Sequence, residues 1–241
     1  MPDFLIIGAQ KCGTTSLWNY LLKHPNILPN YDNRKEIQYF DQKMKKGINW
    51  YKAHFPTKRA IEQKKKEIGC GKVLVGEATT HYIFHPRVAR AVKEVMPKVK
   101  IVVLLRDPIS RAYSHYHHEV REKREKLPFE IAVEQESIRL KGSYEMILKN
   151  PYYFNQIRHD HSYLERGKYF DQLTRWYDCF PSNQILVLKS EDLFQKPMNF
   201  CKKVLEFLEL PFYEKIEFEK INYGAYKKMN PSINKRLKEI F

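Results

Sequence analysis

Gly8 and Gly13 are separated by four residues in the stretch IIGAQKCGTTSL, Ile6 to Leu17, where an apolar run gives way to polar residues. That spacing belongs to a phosphate-binding loop: glycine lets the backbone come close to an anion, and the N–H groups of the following helix start point at it. A nucleoside-triphosphate loop would continue with Lys and then Ser or Thr. Here Thr14, Thr15 and Ser16 follow Gly13, and the one lysine of the loop, Lys11, lies inside it. Glycines alone would serve a tight turn equally well. The cluster of Lys11, Gly13, Thr14, Thr15 and Ser16 favours an anion site with added hydroxyl donors and a cation at its edge. Cys12 sits in the same loop, where helix-end amides could acidify a thiol; a small filler residue is the better reading.

A second stretch with chemical potential is VVLLRDPISRAYSHYHH, Val102 to His118. Arg106 falls where a buried strand ends, Asp107 is placed to cap the next helix, and Pro108 suits its first position. Ser110 and Ser114 lie one turn apart on that helix. An arginine at a strand end with a serine nearby can grip a phosphate through charge-assisted hydrogen bonds. A structural arginine paired with a carboxylate fits this segment as well, and the segment alone leaves both readings open. Two further groups end or follow apolar runs: Lys35 and Glu36 in RKEIQYF, and Glu77 and His81 in VGEATTHY. A surface charge pair accounts for the first, and a lone histidine is more often structural than reactive.

These residues need a scaffold. FLIIG (Phe4 to Gly8), VLVGE (Val73 to Glu77), KIVVLLR (Lys100 to Arg106) and QILVLK (Gln184 to Lys189) are continuous apolar runs, the pattern of strands buried on both faces of a parallel sheet. Helical spacing marks Thr14 to His24, Arg87 to Val95 and Tyr169 to Phe180 between them. The aromatic stripe of the last, Phe170, Leu173, Trp176, Tyr177 and Phe180, reads as core packing. Alternating strands and helices predict an α/β fold: a P-loop-like, doubly wound parallel sheet flanked by helices, with ligands at the carboxyl ends of the strands. The stretch from Glu119 to Asp160 is charged and reads as two helical pieces forming a lid or an acceptor-binding insertion. No repeat or flexible linker divides the chain, so one domain over residues 1–241 is expected.

Taken together, the segments resemble the sulfotransferase family that uses 3′-phosphoadenosine 5′-phosphosulfate, in the branch that includes heparan sulfate sulfotransferases and their bacterial relatives. GAQKCGTTSL is similar to that family's 5′-phosphosulfate loop and LLRDPISRAYSHY to its 3′-phosphate motif. Tyr163 to Pro197 resembles its later helix–strand–helix segment. The resemblance implies a donor without a γ-phosphate, so no lysine is needed after Gly13. It places Lys11 at the oxygen bridging the 5′-phosphate and the sulfuryl group, the loop residues Lys11 to Ser16 around the 5′-phosphate, and Arg106 and Ser114 at the 3′-phosphate. Fixed donors then supply the electrostatic stabilisation, and no metal is called for. RKEIQYF resembles the segment whose glutamate deprotonates the acceptor, which makes Glu36 the general base and Lys35 its neighbour; Ile37 and Gln38 replace the family's proline and histidine. In VGEATTHY, Ala78 replaces a lysine common in the family; Glu77 could face the acceptor, and His81 is a rival base. NYGAYKKMNPSINKRL, Asn222 to Leu237, resembles the loop that closes over the donor, with Gly224 and Tyr226 as contacts.

Composition sets outer bounds. A net charge of +15 suggests an anionic partner, although QKKKEIGCGK (Gln63 to Lys72) and QKMKKG (Gln42 to Gly47) read as exposed helix ends and turns. No zinc finger, RNP-type sequence or helix-turn-helix pattern is present, so no nucleic-acid partner is expected. Four widely spaced cysteines without a CxxC pair read as free thiols. No apolar run reaches the roughly 20 residues of a membrane helix, and strand-like sequence begins at Asp3, so the expected location is the cytoplasm unless the chain is trimmed from a luminal protein. The leading expectation is sulfuryl transfer from the phosphosulfate donor to a hydroxyl or amine on a small-molecule or glycan acceptor. The alternatives are a P-loop kinase and a non-catalytic module that binds anionic glycans.

Overall fold

A computed structural model describes residues 1–32, 34–69, 71–218 and 226–241. Its elements in chain order are β1 Phe4–Gly8, α1 Thr14–Leu22, β2 Ile27–Leu28, α2 Ile48–Ala53, α3 Lys58–Ile68, β3 Leu74–Ala78, α4 Val88–Val95, β4 Lys100–Leu105 and α5 Pro108–Arg121. Then follow α6 Phe129–Glu134, α7 Glu136–Leu140, α8 Ser143–Lys149, α9 Gln156–His161, α10 Tyr169–Tyr177, β5 Ile185–Lys189, α11 Ser190–Gln195, α12 Pro197–Phe207 and α13 Pro231–Leu237. The strands form one parallel sheet in the order β2-β3-β1-β4-β5. Helices flank it, with α1 packed on α12 and α4 on α10. The chain runs from β1 to one side, through β2 and β3, and then crosses to β4 and β5. The crevice at that reversal lies beyond the carboxyl ends of β1, β3 and β4, where open α/β sheets bind ligands.

Residues of β1 and β4 are the most deeply buried: Phe4 to Ile7 and Ile101 to Leu104 are fully inside. Burying each such side chain contributes on the order of 1.5–3 kcal/mol, so the centre of the sheet is the rigid base from which the loops project. The four long strands agree with the apolar runs. The fifth, β2, was not expected, because two residues at a sheet edge carry too little pattern to read. The aromatic stripe of α10 splits. Trp176 and Phe180 are buried, whereas Phe170 and Tyr177, each one residue further around the helix, face solvent. The exposure of that face corrects the expectation of a fully packed stripe. The stretch from Glu119 to Asp160 also differs from two helical pieces: it holds the end of α5 and then α6, α7, α8 and α9.

A second, smaller apolar cluster joins Ile109 and Ala112 of α5 to Phe129, Val133, Tyr163 and the Ile233 and Leu237 of α13. It anchors the C-terminal helix beside α5. Among the described residues no helix is long and apolar enough to cross a membrane.

Candidate active site

The turn after β1 is built around its two glycines. Gly8 has φ +152° and a Cβ there would lie 2.4 Å from Ile83 Cγ2; Gly13 has φ +80° and a Cβ would lie 2.9 Å from Leu193 Cδ2. Both the backbone conformation and the close approach exclude larger residues. Gly13 caps α1 without a side chain, and the first helical bond runs from Leu17 N–H to the Gly13 carbonyl. The amides of the first turn therefore point outward, toward whatever anion occupies the space before them. Cys12 turns the other way. Its thiol is buried, burial raises its pKa, and its carbonyl accepts a hydrogen bond from Ser190 Oγ at 2.7 Å. Any contact of Cys12 with a ligand is left to its backbone.

Lys11 occupies the left-handed region at φ 68° and extends into a cleft of about 480 Å³. Burial and the positive charges of Arg121, Arg106 and Lys35 lower its pKa to about 8, with Glu119 opposing the shift. A lysine held this way gains from an incoming anion. Arg106, at the end of β4, donates from Nη1 to the Lys11 carbonyl at 3.3 Å, and Tyr169 OH donates to the Arg106 carbonyl at 2.9 Å. The two motifs separated by most of a hundred residues are thus bonded to each other. Asp107 caps α5 by accepting from Ser110 N–H at 2.7 Å, and Pro108 opens the helix, as the sequence implied. Ser114 then faces the same cleft as Arg106.

Glu36 and Lys35 line the cleft as well. The Arg34–Phe40 segment is pinned to the end of β3: Ala78 N–H donates to the Lys35 carbonyl, and the Tyr39 and Phe40 amides donate to Tyr82 OH. Glu36 Oε1 accepts from Lys35 Nζ at 3.1 Å and from Thr80 Oγ1 at 2.9 Å. The carboxylate remains partly open, at 29% side-chain exposure, so it can reach a ligand.

Glu77 does not line the cleft. It is fully buried and accepts hydrogen bonds from Tyr51 OH, from Thr79 Oγ1 at 2.7 Å and from Tyr82 OH at 2.8 Å; burial raises its pKa. Because Tyr82 OH also holds the amides beside Glu36, Glu77 acts through that hydroxyl as an anchor for the Glu36 segment. His81 does line the cleft, stacked on His159 with ring centroids 3.8 Å apart. Arg166 approaches its Nδ1 at 3.1 Å. A guanidinium only donates, so Nδ1 accepts and the proton of the neutral ring sits on Nε2. Burial first, and Arg166 next, push the His81 pKa well below the usual value. A ring with its lone pair engaged and its other nitrogen protonated can donate to a ligand but is poorly placed to take a proton.

The cleft also collects residues that the sequence reading did not assign. His118 and Arg121 continue the face of Ser114 at helical positions i+4 and i+7, a spacing that was available in the sequence. Burial, followed by Lys11 and Arg124, lowers the His118 pKa to about 4. Glu119, Glu122, Arg124, His159 and Phe194 join from further along the chain. Tyr226 lines the cleft, stacked on His117 at 4.4 Å, while Gly224 lies outside the described residues. One space thus holds a helix amino terminus, several cations, a semi-exposed carboxylate and two aromatic rings. Such an arrangement can bind an aromatic compound bearing separated anionic groups and accept a proton beside it.

Comparison with known proteins is consistent with this geometry. The chain is 28% identical to the membrane-associated sulfotransferase kil1 of Dictyostelium discoideum, an alignment covering 100% of this chain and 63% of that protein. It is 30% identical to human bifunctional heparan sulfate N-deacetylase/N-sulfotransferase 3, covering 88% of this chain but 23% of the relative. A crystal structure of a sulfotransferase from Alicyclobacillus acidocaldarius superposes with a TM-score of 0.73 at 28% identity, covering 100% of this chain and 91% of the other. Residues 1–239 match the sulfotransferase domain as a family, and the chain belongs to that family.

Proposed function

We propose that the protein transfers a sulfuryl group from 3′-phosphoadenosine 5′-phosphosulfate to a hydroxyl or amine of a small-molecule or glycan acceptor, within one domain spanning residues 1–241. The observation that supports this reading is the hydrogen bond between Arg106 and the Lys11 carbonyl, with the two motifs and Glu36 lining one cleft. The amides and hydroxyls of Gly13, Thr14, Thr15 and Ser16 hold the 5′-phosphate. Arg106 and Ser114 hold the 3′-phosphate, and Tyr226 and Phe194 offer ring faces to the base. The acceptor oxygen or nitrogen forms a bond to sulfur as the bond from sulfur to the bridging oxygen breaks. The acceptor's proton passes to Glu36, and the electron pair of the broken bond stays on the 5′-phosphate. Lys11 stabilises the charge that develops on that bridging oxygen, a contribution larger in the transition state than in the bound donor. Lys35 orients Glu36 through their 3.1 Å ion pair.

A P-loop kinase would carry a magnesium-binding aspartate after a later strand. Asp107, the acidic residue at the end of β4, is committed to capping α5. A non-catalytic glycan-binding module would bind glycans without needing Lys11 or Glu36. The deciding experiment is thermal unfolding with adenosine 3′,5′-bisphosphate and, separately, ATP. At a hundredfold excess over its dissociation constant the bisphosphate stabilises by about 2.7 kcal/mol, and ATP at the same concentration by much less. Equal shifts from the two nucleotides, or none from either, would contradict the assignment.

A further inference from the structure

We propose that a small pocket adjoining the cleft receives a neutral, hydroxyl-bearing end of the acceptor, with Asp41 accepting its hydrogen bonds. This rests on the cleft being the transfer site. The pocket, of about 40 Å³, shares His81 and His159 with the cleft and lies beneath the segment joining α8 to α9. That volume holds roughly three water molecules, or the end of a ligand carrying a few heavy atoms. Phe84, Tyr153 and Phe154 supply apolar walls.

Its polar atoms are incomplete. Asp41 is 7% exposed, and apart from its own backbone N–H neither carboxyl oxygen has a hydrogen-bond partner among the described residues. Burial, with Glu36 and Glu77 nearby, raises its pKa to about 7. Arg166 spends Nη2 on His81 Nδ1 and the His159 carbonyl, and its buried Nε–H has no partner. His159 donates from Nδ1 to Asp160 Oδ1 at 2.7 Å, so Nε2 of the neutral ring is an acceptor, and it too is unpartnered. Native proteins rarely leave several buried polar groups on one small pocket unmatched.

The missing partner must donate to Asp41 and His159 and accept from Arg166. Each hydroxyl has one proton to give and lone pairs to accept with, so a pair of hydroxyls, as on adjacent carbons of a polyol, meets both acceptors and the Arg166 Nε–H. An ammonium group only donates, leaves the Arg166 Nε–H unmatched, and would sit beside the guanidiniums of Arg158 and Arg166, which flank Phe84 at 4.4 and 4.5 Å. An anionic group would be disfavoured by the ionised form of Asp41, which makes up about half of the molecules near pH 7, and by the neighbouring Glu36. The His81–His159 pair borders both the pocket and the cleft, so an acceptor that reaches past these rings would place its reacting group by Glu36 and its second hydroxyls by Asp41. The chemical class is a polyol or carbohydrate with an uncharged end.

The test uses the protein saturated with adenosine 3′,5′-bisphosphate, titrated with glycerol or with ethylammonium chloride and followed by saturation-transfer NMR. Glycerol is expected to bind, with its apparent Kd raised roughly tenfold by Asp41→Ala and by the isosteric Asp41→Asn. Ethylammonium is expected to give no comparable signal, and bisphosphate affinity to be unchanged in both variants. No glycerol signal, a signal that survives both substitutions, or a preference for ethylammonium overturns the proposal. Failure of the wild-type protein to bind the bisphosphate overturns instead the donor reading beneath it.

Discussion

Replacing Lys11 with methionine should stabilise the ligand-free protein while disabling it. The ammonium is held among Arg106, Arg121 and Lys35 in a partly desolvated position, and its pKa falls from 10.5 to about 8. At about 1.36 kcal/mol per unit, the charged form costs the fold up to about 3 kcal/mol. Part of the side chain faces water, so an observed gain of about 1–3 kcal/mol is the working figure for Lys11→Met at pH 7. The sign follows from proton binding. Between about pH 8 and 10.5 the unfolded chain keeps a proton that the folded one has released, so the wild-type protein gains stability relative to the variant as pH rises through that window. The gap at pH 9.5 should be less than half its value at pH 7. Urea unfolding followed by tryptophan fluorescence measures both points. Adding the bisphosphate should then stabilise the wild-type protein more than the variant, since only the wild type has the cation for the anion to neutralise. A variant no more stable than wild type at pH 7, or a gap that does not narrow with pH, refutes the electrostatic account of Lys11.

Glu36→Gln keeps the bond to Thr80 but removes the proton acceptor; labelled-donor assays should show transfer falling a hundred- to ten-thousandfold with bisphosphate affinity unchanged, and His81→Ala should lose far less. Glu77→Gln should lower stability by about 1–3 kcal/mol in urea unfolding, because three hydroxyl donors lose their shared carboxylate. Arg121→Ala should weaken bisphosphate binding by roughly three- to tenfold in calorimetry and flatten its salt dependence, as expected for a cation that acts on the ligand mainly through space.

What the sequence could reveal depended on distance along the chain. The four long strands are legible because both their faces are buried, which leaves an uninterrupted apolar run. That residues of the Lys11–Ser16 and Arg106–Ser114 segments would meet at one cleft was within reach because each group sits on one strand–turn–helix unit at the carboxyl end of the sheet. His118 and Arg121 were within reach by helical spacing from Ser114. Glu77 was misjudged because its burial depends on Tyr51 and Tyr82, and no local pattern says that a carboxylate ending a strand will be roofed by a helix from elsewhere. The same holds for Asp41, Arg166 and His159: each looks like an ordinary surface residue until the fold brings the three segments together.

The Phe84 ring, gripped between Arg158 and Arg166, also bears on how such a protein can diversify. Donor-facing groups sit on the sheet and the helices that begin at its strands. Much of the wall of the pocket proposed for the acceptor comes from one contiguous stretch, Ile147 to His159, whose Arg158 packs on Phe84. Grafting a different stretch between the same anchor points would exchange one acceptor preference for another without disturbing the donor grip. On the proposed reading, acceptor specificity would behave as a replaceable module, and chimaeras cut within α8 and after His159 are the units with which to test that.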